Sequence, residues 1–223
     1  MDALAMSVRA NADLDYTLDQ IVQHAKQATA AEEVGLHLRR SGGRVEAAES
    51  SDRWSHAADV LQVELNEGPC VDAAVDGPEV VRIDDLCTDA RWPRWARRAA
   101  EFGWRSVVSV TLGTESEIIG SLNLYAREVA RYDSTDEDVA ILFARHATAA
   151  LAPALEIAGL RKAMDTRLTI GQAEGILMER YQLTADQAFA LLRRWSQTTN
   201  RKLVDVARTV IADRRPTSEE PTG

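Results

Sequence analysis

The sequence predicts an α+β protein in which a region of mixed strands and helices is followed by a purely helical region. Residues 12–152 contain both β-branched strand patterns and helical spacing of apolar residues, whereas only helical spacing follows Pro153. The charge also changes sign: residues 1–159 carry 15 Lys and Arg and 27 Asp and Glu, and residues 160–215 carry 11 and 6. A basic module on an acidic chain favours an anionic partner for that module, although a solvated charged surface has the same composition.

The elements of the mixed region are separated by turn residues and by changes of periodicity. Two strands, 104–113 and 117–127, give the strongest signal because they are rich in β-branched and apolar residues. In chain order we predict a helix over 12–31, strands over 33–40 and 44–50 joined by Ser41-Gly42-Gly43, a helix over 57–65 that stops at Gly68-Pro69, a short strand within 78–86, a helix over 89–103 and then the two strong strands.

A further helix is predicted over 133–151, after the last strand. Ser134 and Glu137 have the spacing of a capping box at its start. Apolar and small residues then recur at helical spacing up to Pro153, which is expected to kink or interrupt the helix because it lacks a backbone N–H.

Three amphipathic helices make up the C-terminal region. Their predicted apolar faces are Ile170, Ala173, Leu177 and Tyr181 on the first, Ala185, Ala188, Phe189, Leu192 and Trp195 on the second, and Leu203, Val206, Ala207, Val210 and Ile211 on the third. Thr184 and Gln187 form a capping box for the second helix, and Asn200 is expected to cap the third. Short connections between such helices predict a small helical bundle. The predicted helices cover 154–181, 183–197 and 200–215.

Several function classes find no support in the residues. The four histidines lack metal-ligand spacing, and two cysteines make neither a zinc quartet nor a disulfide framework. No nucleophile triad, phosphate loop or dinucleotide fingerprint is present, so we predict no enzyme activity and no cofactor. Cys70 is expected to be a buried thiol, and Trp92, Trp95 and Trp104 are expected to pack in the core.

The expected location is the cytoplasm, with no membrane contact. We expect no apolar run that approaches the roughly 20 residues of a membrane span, and the acidic N-terminus lacks the apolar core of a signal peptide.

The mixed region resembles a GAF domain of the version found in actinobacterial regulators. The stretches that carry the resemblance are LNEGPCVDAAVDG at 65–77, VVRIDDLCTDARWPRWARRAAEFGWRSVVSVTL at 80–112 and IIGSLNLYAREVARYDSTDEDVAILFARHATAAL at 118–151. The resemblance implies an antiparallel sheet of five or six strands that often holds a small-molecule ligand and often pairs through its end helices. The residues themselves predict only a sheet with helices.

The C-terminal region resembles an ANTAR domain through RLTIGQAEGILMERYQLTADQAFALLRRWSQTTNRKLVDVARTVI at 167–211. The resemblance implies a homodimer that binds RNA stem-loops and causes transcription antitermination. Glu174 departs from the family, which commonly has a basic or neutral residue between the small residues Ala173 and Gly175. The expected organisation is a GAF-like sensor at 1–152, an ANTAR-like bundle at 153–215 joined to it by a long helix, and a disordered tail at 216–223.

A small-residue patch, Gly171 and Gly175, interrupts the helical stretch IGQAEGILMERY. It allows the close approach of a partner helix or an RNA loop, or close packing against the third helix of the same bundle. Arg201, Arg208 and Arg215 recur every seven residues opposite the apolar face of that third helix, and arginine suits phosphate. The candidate RNA-binding residues are Arg167, Gln172, Ala173, Gly175, Arg180, Arg201, Lys202 and Arg208.

These patterns together predict a cytoplasmic, non-enzymatic regulator that binds RNA stem-loops as a homodimer under the control of its sensor domain. Two alternatives stay open: a protein-interaction module that does not bind RNA, which Glu174 favours, and a ligand sensor whose bundle only dimerises.

Overall fold

The computed structural model describes residues 2–40, 42–75, 79–114 and 117–213. The chain divides into two compact units. The first, the N-terminal unit, is Asn11–Glu156, and the second, the C-terminal unit, begins at Ile157 and also includes the first ten residues of the chain. The predicted tail at 216–223 and Arg215 lie outside the described residues.

The order of elements is the α+β order that the sequence predicts, with a sheet region first and helices last. The elements are α1 Asp2–Ala28, β1 Glu33–Arg39, β2 Val45–Ser50, α2 Arg53–Leu65, α3 Pro69–Val75, β3 Val80–Ile83, α4 Pro93–Glu101, β4 Ser106–Gly113, β5 Ile118–Ala126, α5 Ser134–Tyr181, α6 Ala185–Thr199 and α7 Leu203–Ala212.

The five strands form one antiparallel sheet in the order β2-β1-β5-β4-β3. Residues that face each other across neighbouring strands share a face of the sheet, so the register defines two faces. One face is apolar and consists of fully buried Val, Leu and Ala side chains. It includes Val34, Leu36, Val108, Val110, Leu122 and Leu124.

The opposite face is polar and is covered by α2 and α3. Register pairs place His37 opposite Ser121, and Ser109 opposite Asn123, on this face. Towards β3 the same face becomes apolar. There Ile83, Val107 and Tyr125 join three tryptophans, one within α4 and one on either side of it, in a core cluster. The packing expected of Trp92, Trp95 and Trp104 is confirmed, since all three are buried.

Helix α5 is tied to the sheet by polar contacts. Arg82 of β3 pairs with Glu137 at 2.6 Å, and the Gly113 backbone N–H donates to Thr148 Oγ1 at 3.0 Å. The predicted capping box at Ser134 and Glu137 is wrong by one residue. Asp133 caps the helix instead, accepting from the backbone N–H groups of Thr135 and Asp136, and these bonds lower the pKa of its carboxyl group.

Three further boundaries differ from prediction. Pro153 lies inside α5 and does not end it. Helix α2 ends at Leu65, close to the predicted stop at Gly68-Pro69, but a helix that was not predicted, α3, begins at Pro69 because proline suits the first turn of a helix. Asn200 is the left-handed C-cap of α6 with φ 51°, and α7 begins after Lys202 without a side-chain cap. The Thr184–Gln187 capping box is confirmed.

One helix among the described residues is long and apolar enough to cross a membrane, by length and composition only. A window of 18 residues in α5 reaches a mean hydropathy of 1.2. The expectation that no apolar run approaches the length of a membrane span therefore does not hold for α5. Only 28% of this window is buried, although α5 buries Ala140, Ala144, Ala147 and Leu151 within the N-terminal unit.

Candidate functional site

The C-terminal unit is a three-helix bundle with an entirely apolar core. The last turns of α5 pack against α6 and α7, and the residues at its centre are buried: Ala173, Leu177, Ala188, Leu192, Val206, Ala207 and Val210. Most of the predicted apolar positions on the three helices are thereby confirmed, but Tyr181, Ala185 and Phe189 are exposed. Among the described residues of the bundle no polar side chain is buried, so its polar chemistry lies at the surface.

A cleft of about 390 Å³ opens where the ends of α5 and α6 meet α7. Its floor is apolar and consists of core residues Leu177, Val206 and Val210. Aromatic side chains, Tyr181 and Trp195, stand beside this floor. The remaining lining residues are polar or charged: Arg180, Thr199, Arg201, Thr209 and Asp213.

Arg180 and Arg201 meet at this cleft although 20 residues separate them in sequence. The Arg180 guanidinium donates to the Asp213 carbonyl oxygen at 3.2 Å. Arg201 donates to Thr209 Oγ1 at 3.2 Å and to the Asp205 carbonyl oxygen at 3.4 Å. Neither guanidinium is paired with a carboxylate in the described part of the chain. Both guanidinium groups therefore remain available for an ion pair with an incoming anion, in a cleft whose lining also includes Asp213.

The polar face of the sheet forms a second cluster, in the N-terminal unit. Its side chains come from β1, β4 and β5 and from the helices above them, and all are at most 2% exposed. They are His37, Asp59, Gln62, Cys70, Ser109, Ser121, Asn123 and Tyr125. We call these residues the polar cluster. The buried thiol expected at Cys70 is confirmed.

Asp59 is the centre of the polar cluster. Its Oδ1 accepts from Tyr125 Oη at 2.7 Å and from Asn123 Nδ2 at 2.8 Å. Asn123 also lies 3.0 Å from His37 Nδ1, and His37 Nε2 lies 3.2 Å from the Asp59 carbonyl oxygen and 3.4 Å from Cys70 Sγ. The His37 ring therefore bridges Asn123 of the sheet to Asp59 of α2 and Cys70 of α3.

Burial dominates the acid–base behaviour of the polar cluster. Desolvation raises the pKa of the Asp59 carboxyl group, although His37 and the bonds from Tyr125 and Asn123 lower it in part. Desolvation and the nearby Asp59 also raise the pKa of the Cys70 thiol well above its ordinary value. A protonated, buried thiol is a poor nucleophile, so the Cys70–His37 contact does not form an activated cysteine.

Three polar atoms of this cluster have no hydrogen-bond partner: Ser109 Oγ, Ser121 Oγ and Asn123 Oδ1. Buried polar atoms without partners cost stability and are uncommon in native proteins. Within the described residues, no group of His, Cys, Asp or Glu has the arrangement of a metal site. The unpaired atoms therefore suit a small ligand with its own hydrogen-bonding groups, or ordered water.

Comparison with protein families accounts for both units. A GAF domain model matches residues 11–152, which is more than half of the chain. The chain belongs to the GAF domain family. An ANTAR domain model matches residues 158–211, so a GAF domain is followed by an ANTAR domain, as the resemblances implied. No curated protein is significantly similar to the whole sequence.

Solved structures with the same fold are distant in sequence. A GAF domain/HD domain protein from Geobacter sulfurreducens is 11% identical with a TM-score of 0.53, and the match covers 64% of this chain and 94% of that one. The GAF domain region of another Geobacter sulfurreducens protein is 13% identical with a TM-score of 0.53, covering 65% and 97%. A Synechocystis GAF domain in its photoproduct state is 12% identical with a TM-score of 0.50, covering 66% and 98%. At these identities the likeness establishes the fold alone.

The predicted RNA-binding residues of the ANTAR domain separate into groups. Arg180 and Arg201 line the cleft. Lys202 is exposed immediately before α7, and Arg208 is exposed but pairs with Asp205 at 2.9 Å. Arg167, Gln172 and Gly175 are exposed on α5 and do not line the cleft.

Ala173 is the exception among these candidates. It is fully buried in the core of the bundle, so its side chain has no surface to present to RNA. Its small size serves helix packing, which the sequence pattern could not distinguish from a contact with a partner.

The glycine patch faces open space. A Cβ atom added at Gly171 or Gly175 would meet no atom within 4 Å, other than the α5 backbone left out of the search. Close packing against the third helix, one of the explanations left open by the sequence, is therefore excluded for the described residues. The two glycines lie on the exposed side of α5, while Ala173 and Leu177 face the core.

Sequence reasoning missed the aromatic walls of the cleft and the polar cluster. Tyr181 and Trp195 were assigned to apolar helix faces, yet Tyr181 is 53% exposed. In β5, the polar residues Ser121 and Asn123 alternate with Leu122 and Leu124, a pattern that normally indicates a face open to water. Only the tertiary structure reveals that helices cover this face.

Proposed function

We propose that this protein is a cytoplasmic transcription regulator whose ANTAR domain binds RNA stem-loops and causes antitermination under the control of its GAF domain. The observation that carries the proposal is the cleft of the bundle, where two arginines without carboxylate partners meet two aromatic side chains. Arginine binds phosphate through its planar fork, and exposed aromatic rings stack on unpaired bases.

The charge distribution supports the same partner. Residues 160–215 carry 11 Lys and Arg against 6 Asp and Glu, in a protein of net charge −9. Binding through phosphate contacts releases counterions from the nucleic acid, so affinity should fall steeply as the salt concentration rises. A protein partner bound through the apolar surface would not produce that dependence.

The proposed active form is a homodimer. In the C-terminal unit, α5 exposes a row of apolar side chains at helical spacing: Ile157, Leu160, Met164, Leu168 and Met178. Leu160 and Met164 are 60% and 64% exposed, which is high for large apolar residues on neighbouring turns. A second copy of the same helix has the complementary surface, since a row of this spacing packs against its own kind.

Sensing is assigned to the polar cluster of the GAF domain. A small molecule with hydrogen-bonding groups would provide partners for Ser109, Ser121 and Asn123. Helix α5 is continuous from Ser134 to Tyr181 and therefore belongs to both units. A ligand that changes how α5 pairs with its copy would change how two ANTAR domains are presented to paired RNA loops.

The test is a binding titration of the full chain with a pool of paired stem-loop RNAs whose six-nucleotide loops are randomised, at low and moderate salt. We expect salt-sensitive binding that is lost in Arg180→Glu/Arg201→Glu. The matched control is Arg193→Glu/Arg194→Glu, which makes the same charge change on exposed residues of α6 outside the cleft. Equal loss in both variants, or no binding by the folded wild type, would contradict the proposal and favour a protein-interaction module.

Dimerisation has its own test. Leu160→Glu/Met164→Glu should convert the protein to a monomer in light scattering, because it places charges in the apolar row. Lys162→Glu, an exposed position that is not among the exposed large apolar residues of α5, is the control and should remain dimeric. A dimer that survives the double substitution would contradict this interface.

A further inference from the structure

Trp195 differs from every other tryptophan of the chain. Trp54, Trp92, Trp95 and Trp104 each contact another aromatic ring or lie beneath an arginine. Within the described residues Trp195 has no such ring partner, and its indole N–H has no acceptor. It lies half-buried at the wall of the ANTAR cleft.

The surroundings of Trp195 combine the features that recognise a nucleobase. The floor of Leu177, Val206 and Val210 is apolar, so it suits a flat, weakly polar group and disfavours a bare phosphate. Tyr181 provides a second ring at the same cleft. The volume of about 390 Å³ lies within the range of small-ligand sites and admits one base with its sugar.

Charges at the rim select a nucleic acid over an apolar side chain of a protein. Arg180 and Arg201 can hold the phosphates that flank an inserted base. Asp213 also belongs to the lining of the cleft, and a carboxylate can accept from the amino group of a base.

We propose that this cleft holds one unstacked base of the RNA loop, with Trp195 and Tyr181 as its stacking surfaces and Arg180 and Arg201 as contacts to the adjacent phosphates. The inference rests on the RNA binding proposed above and adds a mode of recognition. The ANTAR domain then reads a base that has left the loop stack, in addition to the shape and charge of the stem.

The experiment measures the affinity of the full chain for an RNA selected from the randomised pool and for six versions of it, each with an abasic site at one loop position. Stacking of one base contributes about 5- to 150-fold to affinity. We expect one loop position at which loss of the base weakens wild-type binding by a factor in this range. At that position the abasic substitution should have little effect on Tyr181→Leu and Trp195→Leu, because these variants have already lost the stacking surface.

The controls separate recognition from folding. Phe189→Leu removes an aromatic ring of α6 that is 41% exposed and does not line the cleft, and it should keep the wild-type response to every abasic site. Tyr181 is more exposed than Trp195, so Tyr181→Leu tests the proposal even if Trp195→Leu fails to fold. Circular dichroism melting identifies such a failure.

The outcomes distinguish the two proposals. Wild-type binding in which no abasic site is coupled to Tyr181 or Trp195 would overturn the base-binding cleft and leave RNA binding in place. Absence of RNA binding by the wild type would overturn both.

Discussion

The two units of the molecule place their polar side chains in opposite ways. In the GAF domain, the polar cluster around Asp59 is sealed between the sheet and two helices, with three atoms lacking hydrogen-bond partners. In the ANTAR domain the core is entirely apolar, and the polar residues line an open cleft above it. The polar side chains are thus enclosed in the GAF domain and accessible at the surface in the ANTAR domain.

This difference matches the size of the proposed ligands. A buried cluster interacts with a small molecule that can be enclosed, and any change in its hydrogen bonds alters the packing of the surrounding helices. An RNA loop is too large to enclose, so its reader must lie at the surface, where side chains can bind without opening the core. The unpaired atoms of the GAF domain lower its stability, whereas the cleft of the ANTAR domain leaves the apolar core intact.

The largest expected effect tests how tightly the GAF polar cluster is enclosed. Gly35 lies on β1 directly beneath Asp59, and a Cβ atom at this position would overlap the Asp59 carboxylate. Gly35→Ala should therefore lower the free energy of unfolding by at least about 2 kcal/mol. This change in the free energy of unfolding is measured by urea unfolding. Tryptophan fluorescence reports on this domain because four of the five tryptophans lie in it. Gly159→Ala, which meets no atom within 4 Å apart from the nearby helix backbone, is the control. Equal midpoints in the two variants would mean that the cluster can rearrange.

The next effect tests whether the cleft, and not the general charge of the ANTAR domain, binds RNA. Arg201 lines the cleft without a carboxylate partner, whereas Arg208 lies outside it and pairs with Asp205. Arg201→Gln should weaken RNA binding at least about tenfold, the loss of one charged hydrogen bond. Arg208→Gln removes the same charge and should cost less than about threefold. Similar losses in filter-binding titrations would assign RNA binding to a diffuse basic surface.

The predictability of these regions from sequence also differs. In the ANTAR domain, the spacing of Leu203, Val206 and Val210 predicted the buried face correctly, because helix amphipathicity is a local property. The convergence of Arg180 with Arg201 and Trp195 was not predictable, since it depends on how the helix ends meet. Arg180 and Arg201 were nevertheless among the candidates, because arginine in a basic helical module is informative by itself.

In the GAF domain the strands were predicted, but nothing in the sequence indicated that helices cover their polar face. The alternation of polar and apolar residues along β5 shows which residues share a face of the sheet, but it does not show which face is covered by helices. Asp59 and Gln62 lie within a predicted helix, yet only the placement of α2 over β1 and β5 makes them buried partners of Asn123 and Tyr125. The cap at Asp133 was missed for a simpler reason: two adjacent residues can both begin a capping box, and geometry chooses between them.

A smaller effect concerns the charge of Asp59. Its raised pKa in the folded state means that protonation stabilises the fold. That stabilisation is complete below the ordinary Asp pKa of about 3.9 and is lost as the pH rises through the raised value. Asp59→Asn keeps an acceptor for Tyr125 and Asn123 without a titrating group. The free energy of unfolding of the wild type should therefore fall relative to Asp59→Asn as the pH rises above about 4. Urea midpoints measured between pH 4.5 and 8 should diverge, and parallel pH profiles would contradict the sign.

The smallest effect per substituted residue concerns the glycine patch of α5, where both glycines of the patch are exposed to solvent. Because a Cβ atom at Gly171 or Gly175 meets nothing within 4 Å outside the α5 backbone, Gly171→Ala/Gly175→Ala should raise the helix stability of a single chain by about 1 kcal/mol per site. Two glycines that cost stability in the monomer are explained if a partner approaches them closely. The double variant should then melt at a higher temperature at low protein concentration and dimerise or bind RNA more weakly. Sedimentation equilibrium without RNA separates these partners: weaker dimerisation identifies a second copy, whereas unchanged dimerisation with weaker RNA binding identifies RNA. Higher stability with unchanged dimerisation and RNA affinity would mean that neither a second copy nor RNA approaches the glycine patch. The contrast between the GAF and ANTAR domains would then rest on the cleft alone.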